Sequence, residues 1–288
     1  CLHFCPYVTY KQRWTENSAR IMKNKLPHQG LRYLFLIGVM GPVLTLVVCY
    51  FITLAAGHSE PFMPFISDLD LFQPEDTIFS LGVSVSTLAI MVIITFIFGG
   101  KRTAILDASV SQFWAYLNLI SYALGLLSAV YTFMLAFLPW PEFSPLHGIV
   151  ARRMFACGAA WCVIQLVLEW KLSREFPRYL DDLKKRAFPV LAVMIGLTGF
   201  TYYSLEAMKE DNLEEGRRNW EEIRELALSS ETFKAGTLSA KWDLAALFEW
   251  IMILSISATL GTYRTIVVSD FASEDKMIPP KPEEGLPL

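Results

Sequence analysis

The sequence predicts an all-α fold, a polytopic membrane protein whose six transmembrane helices form a bundle with both termini in the cytosol. Three observations predict it. Hydrophobic residues make up 53% of the 288 residues and charged residues only 18%, below the roughly one quarter usual in soluble domains. The apolar residues are gathered into long runs almost free of charge. The basic residues cluster at alternate ends of those runs.

The uncharged runs cover 33–57, 77–100, 108–141, 154–168 and 187–205, and a sixth, 244–263, is broken only by Glu249. Most reach the roughly 20 residues that cross a ~30 Å hydrocarbon core. The fourth is short and becomes long enough only by taking in 149–153, with Arg152 and Arg153. The predicted spans are therefore 31–56, 77–98, 110–138, 148–169, 187–206 and 243–266. They form a membrane domain over 31–269, preceded by a basic cytosolic segment, 1–30, and followed by a disordered cytosolic tail, 270–288.

Orientation follows from the basic residues. Lys11, Arg13, Arg20, Lys23 and Lys25 precede the first span. Lys101 and Arg102 lie in the second connection, and Lys171, Arg174, Arg178, Lys184, Lys185 and Arg186 in the fourth. The first and third connections have none outside the helices. The positive-inside rule then puts both ends in the cytosol. The long fifth connection, 207–242, carries six basic and eight acidic residues, and its side is fixed by its neighbours. Within it Leu213, Trp220, Ile223 and Leu226 fall near helical spacing, so an amphipathic helix is expected there. The proline-rich composition after Asp270 cannot build a core.

The chain begins at Cys1 rather than Met, as a fragment would, and the first span is expected to serve as its own insertion signal. Cys1 and Cys5 are either palmitoylated or unmodified thiols. Cys49, Cys157 and Cys162 fall inside spans and read as packing residues. Net charge is −3, and nucleic acid is not an expected partner. The bilayer is the expected partner. A membrane-protein or kinase-complex partner stays open, and the sequence does not set the oligomeric state.

The densest chemical signal is the first connection, GHSEPFMPFISDLDLFQPEDTIF, residues 57–79. It holds five carboxylates, three prolines, one His and no Lys or Arg. His58, Asp68, Glu75 and, farther on, His147 are residue types of a hydrolytic metal site. None has metal-motif spacing, and no Ser sits in a nucleophile elbow, so no catalytic residue, metal or cofactor is expected. A structural role accounts for the same residues, and contact with lipid or a partner is the alternative. Asp68 after Ser67 suits a turn that accepts backbone N–H bonds, and Pro74-Glu75-Asp76-Thr77 reads as a helix start with acids at the positive end of the dipole. Pro61 and Pro64 stiffen an extended approach.

This loop, with its Gly-His, Pro, Pro-Phe-Ile-Ser-Asp, Pro-Glu and Ile-Phe in order, resembles the first non-cytosolic loop of the Frag/DRAM/Sfk family of six-span proteins, most closely the DRAM (damage-regulated autophagy modulator) branch. Phe248-Glu249-Trp250 near the start of the last span and Asp270-Phe271 after it also resemble that family, as does His147-Gly148 before the fourth span. Asp70 departs from the pattern, which has Gly there, so a turn under some strain or reshaped is expected. Leu71 and Phe72 make the loop tip apolar enough to lie against the bilayer.

Glu249 is a carboxylate inside a span and must be neutral or partnered. Arg152 and Arg153 enter from the same side at similar depth, so a clamp with either is the expected pairing. With His147 and Trp250 they form a candidate intramembrane polar cluster. A proton-coupled or headgroup-binding site is the alternative. Asn118, Ser121, Ser128, Gln165 and Thr198 are candidates for bonds between helices, and Gly82 with Ser86, or Gly125 with Ala129, for close helix approach. The resemblance implies a non-enzymatic regulator of lysosomal or other endomembrane function, modulating autophagy. Its alternatives are a plasma-membrane scaffold for phosphoinositide 4-kinase signalling, and a Golgi protein of GPI or phospholipid remodelling or lipid movement.

Overall fold

The computed structural model describes residues 28–58, 64–210, 240–264 and 267. Among them are six long helices and no strand. They are α1 (His28–Ala56), α2 (Glu75–Asp107), α3 (Gln112–Leu135), α4 (Trp140–Glu175), α5 (Arg178–Glu210) and α6 (Ala240–Gly261). A short 3-10 turn, Ile66–Asp70, lies between α1 and α2. All six helices are long and apolar enough to cross a membrane. The expected basic N-terminal segment, the amphipathic helix near 213–226 and the tail lie outside the described residues, as do Pro61 and the segment around it.

The helices follow one another up and down, each packed on the next, and α6 returns to α1 to close the ring. Two ends result. The loop end carries the α1–α2, α3–α4 and α5–α6 connections; the opposite end carries α2–α3 and α4–α5. Several helices outrun their apolar runs. At 33 residues, α2 is about 50 Å long, against a ~30 Å core. Loss of hydropathy marks where hydrocarbon ends, but Lys, Arg and Glu are good helix formers and do not stop a helix. α2 ends only near Ser109, whose φ is 50°. α4 starts early, at Trp140, with a break from helical geometry at Phe143.

The outward faces are apolar: Leu36, Phe51, Leu88, Ile120, Phe188 and Ile195 are all exposed. Such a continuous apolar exterior suits lipid rather than water. Inside, Ile93 and Ile97 of α2, Trp161 and Cys162 of α4 and Met252 of α6 share one core. Small residues set the helix spacing. A side chain on Gly41 would strike Ser86, and one on Gly82 would strike Thr45, so α1 and α2 touch backbone to side chain. Gly125 and Ala129 are buried on α3, with Gly125 against Trp161.

Polar side chains join neighbouring helices. Asn118 donates to the Phe98 carbonyl at 3.2 Å, Ser128 to Met154 at 3.0 Å, and Gln165 to Ser121 at 2.9 Å. Thr198 sits instead on an exposed face.

Candidate functional site

At the loop end the first connection folds back over the bundle. Leu69 of the 3-10 turn is fully buried and packs into a cluster with Leu46 and Cys49 of α1, Phe79 and Val83 of α2, and Trp250 of α6. This apolar plug seats the turn, and the polar groups around it complete the seat. The Glu249 carboxylate accepts the Ile66 backbone N–H at 2.8 Å. The Trp250 indole N–H donates to the Pro64 carbonyl at 2.8 Å, while its ring meets Tyr50 edge-on at 6.3 Å. Adjacent residues of α6 thus grip adjacent stretches of loop backbone. Pro64 precedes the 3-10 turn and Ile66 begins it, so the Pro64 C=O and the Ile66 N–H have no partner within the turn and need others.

Asp68 works within the turn. Its Oδ2 accepts the Phe65 N–H at 3.2 Å and its Oδ1 the Trp140 indole N–H at 3.1 Å, tying the turn to the start of α4. Ser67 is half-buried beside it. Pro74 stands exposed immediately before α2. Glu75, 1% exposed, accepts from the His58 imidazole at 2.7 Å, and Phe72 packs on the His58 ring at 4.6 Å. The Cys49 thiol donates to the Glu75 carbonyl at 3.7 Å.

Of the two turns expected at Asp70, the reshaped one forms. Asp70 is not left-handed, because the only non-glycine residue with positive φ among those described is Ser109. The 3-10 turn takes Asp70 in ordinary right-handed geometry and buries its side chain to 3% exposure. Leu71 and Phe72 are half-buried, which leaves part of each side chain at the surface. The predicted clamp between Glu249 and Arg152 or Arg153 does not form. Both arginines are exposed, and Glu249 is held by loop backbone. Spans that enter from one side at equal depth need not face each other, and α4 and α6 touch only slightly. His147 is likewise apart from Glu249 in its bonding, its Nδ1 donating to the Leu138 carbonyl at 2.5 Å at the end of α3.

The opposite end holds a second polar cluster. Glu169 of α4 lies 2.6 Å from the Lys101 ammonium of α2 and 2.5 Å from the Arg186 guanidinium of α5. All three side chains are wholly buried. Asp182 approaches Arg186 at 3.8 Å. The Tyr263 ring lies under the Arg186 guanidinium, 3.7 Å from ring centre to its carbon, and its hydroxyl donates to Gln165 at 3.2 Å. Arg186 also donates to the Thr262 hydroxyl at 2.9 Å. Two cations and two anions on α2, α4 and α5 therefore close a near-neutral knot, with Tyr263 beyond the end of α6, as buried charges require.

Residues 30–271 match the sequence profile of the Frag1/DRAM/Sfk1/Cwh43P N-terminal domain. The chain belongs to the Frag1/DRAM/Sfk1 family. It is 29% identical over 147 residues to DNA damage-regulated autophagy modulator protein 1 of Xenopus laevis, covering 50% of this chain and 59% of that protein. It is 26% identical over 127 residues to the protein of the same name from Mus musculus, covering 43% of this chain and 52% of that protein. The matches thus span a little over half the length of these curated relatives. No solved structure matches.

In this Frag1/DRAM/Sfk1 chain Pro64 meets Trp250, whereas Asp68 bonds Trp140 and Glu75 bonds His58. The knot of Lys101, Glu169 and Arg186 is not among the expected sites, because its two cations flank the predicted spans in sequence and count there as orienting charges. A signal for it exists. Lys101 continues the i, i+4 stripe of buried Ile93 and Ile97, Glu169 follows buried Gln165 by four, and Arg186 precedes buried Val190 and Val193 by four and seven. A charge in register with a core stripe is buried with it. Among the described residues, no three His, Cys, Asp or Glu side chains are grouped as metal ligands.

Proposed function

We propose that this integral membrane protein is a non-enzymatic regulator that modulates autophagy from endolysosomal membranes, with both termini in the cytosol and the clasped loop on the other side. The observation that carries this reading is the similarity to two autophagy modulator proteins within a family match over most of the chain. The loop geometry supports the non-enzymatic part. Asp68, Glu75 and Glu249 each hold backbone or a neighbouring side chain, which leaves them acting as a clasp rather than as an acid–base pair aimed at a substrate. The bilayer is its partner, and a protein partner would meet it through the exposed loops.

The test is localisation of a tagged full-length protein together with autophagic flux in cells lacking it. Lysosomal residence and flux restored by the wild-type protein support the reading. Plasma-membrane residence with altered phosphoinositide 4-kinase recruitment would replace it with the scaffold. Golgi residence with altered lipid composition would replace it with lipid remodelling.

A further inference from the structure

The loop end gathers carboxylates without gathering cations. Asp70 lies within electrostatic reach of Asp68, Asp76 and Glu249. The stretch 57–79 contains no Lys or Arg. From α1 the cluster is faced by Cys49 and, just past the helix end, His58, which is engaged by Glu75. From α2 it is faced by Glu75 and Asp76, from α4 by the uncharged Trp140 indole, and from α6 by Glu249. Lys209 of α5 and Lys241 of α6, at the same end, engage Glu206. The Asp70 Oδ1 and the Glu75 Oε2 are buried with no hydrogen-bond partner among the described residues. Asp70, Asp68 and Glu249 make no ion pair among the described residues. Two buried carboxylates, Asp70 and Glu249, and the half-buried Asp68, with no counter-charge, would repel one another when ionised and lose hydration together.

We propose that the seat of residues 64–70 on α2 and α6 is a proton-controlled latch, tight in acidic surroundings and loosened as its carboxylates ionise. The geometry supplies the coupling. Asp68 sits in the turn itself, Asp70 ends it, and Glu249 holds it from α6, so charge on any of them acts on the same few residues. Burial pushes the Asp68 carboxyl up to about 7, against the opposing bonds from Phe65 and Trp140. Burial, then the charges of Asp68 and Asp76, hold Asp70 well above the usual carboxylate range. Asp68 keeps part of its surface in solvent, which tempers its shift and leaves it a route for proton exchange.

The sign follows from linkage. A carboxyl raised in the seated state binds more protons there than when released. For Asp68, seating is therefore fully favoured below the ordinary carboxylate value near 4 and weakens as pH rises from there through about 7; Asp70, raised too, adds loss in the same direction as it ionises. The latch concerns the same loop contact as the proposed function, but it does not rest on the autophagy reading.

The experiment is hydrogen–deuterium exchange on the purified full-length protein in lipid nanodiscs at pH 5 and pH 8, with rates corrected for intrinsic pH dependence. Protection of residues 64–70 should fall by at least about tenfold at pH 8, while α2 and α4 stay protected. In Asp68→Asn/Asp70→Asn, loop protection should be high at both pH values. If that double variant does not fold, Asp68→Asn alone should show a reduced pH response. Equal wild-type loop protection at both pH values would overturn the latch. So would a loss spread uniformly over the bundle, or a folded variant that keeps the full wild-type pH response.

Discussion

Glu249 is a carboxylate nine residues into a membrane helix, about 14 Å along it, and what holds it there is one backbone N–H from a distant loop. The expected cost of removing that acceptor is therefore a hydrogen-bond cost. Glu249→Ala should lower stability in detergent by about 1–3 kcal/mol, the range for a buried donor left unpaired. Glu249→Gln keeps a carbonyl oxygen and should cost much less. Arg152→Ala and Arg153→Ala, on an exposed face, should change stability by no more than about 0.5 kcal/mol, and each should add independently to Glu249→Ala. Thermal unfolding of the single and double variants checks this, and coupling between Glu249 and either arginine would contradict it. The knot at the other end is costlier to break. Glu169→Ala leaves Lys101 and Arg186 buried without their shared anion, and a loss of about 3–5 kcal/mol is expected. Pairing it with Lys101→Met should recover part of that loss, measured by the same unfolding assay.

Among the helices, close approach rather than apolar area sets which neighbours fit. Lipid tails are as apolar as Leu, so membrane helices associate through packing and hydrogen bonds. Gly82→Leu should separate α1 from α2, because its side chain would occupy the place of Thr45. A melting temperature several degrees lower, or failure to purify as a monodisperse species, is the expected outcome. Gly99 has open space around its Cα, so Gly99→Ala should be neutral or stabilising by up to about 1 kcal/mol through helix propensity. The same elements show what sequence can and cannot tell. Long apolar runs announce all six helices, and Gly82 and Ser86 announce a tight face, because both signals are local. The ends of α2, α4 and α5 run past the apolar stretches because Lys, Arg and Glu continue a helix, and the pairing of Glu249 is not local. That pairing depends on which helix faces which, and a stripe within one span marks its buried face but not the neighbour that face meets. At Asp70 the turn is the reshaped one: a buried 3-10 turn forms because Leu69 has a pocket to fill.

For the molecule as a whole, the ring of helices is joined near its seam by the first loop, which comes from between α1 and α2 and is gripped by α6. If the basic residues set orientation as the positive-inside rule expects, the clasp faces away from the cytosol. In a background without native cysteines, Ser67→Cys should react with an impermeant thiol reagent from the non-cytosolic side. Ser173→Cys, near the end of α4, should react only after permeabilisation. The reverse pattern would invert the topology without altering the bundle. Two polar clusters then close the bundle at its two ends, one of ion pairs across α2, α4 and α5 with Tyr263 beyond the end of α6, and one of carboxylates gripping a loop. The central claim is that the last helix holds the first loop through Glu249. Amide exchange at Ile66, followed in the wild type, Glu249→Gln and Glu249→Ala, tests it most directly. The Ile66 amide should be protected in the wild type and in Glu249→Gln, and should exchange at least about tenfold faster in Glu249→Ala, as loss of about 1.4 kcal/mol or more requires. An Ile66 amide that exchanges at the same rate in all three proteins would contradict the clasp.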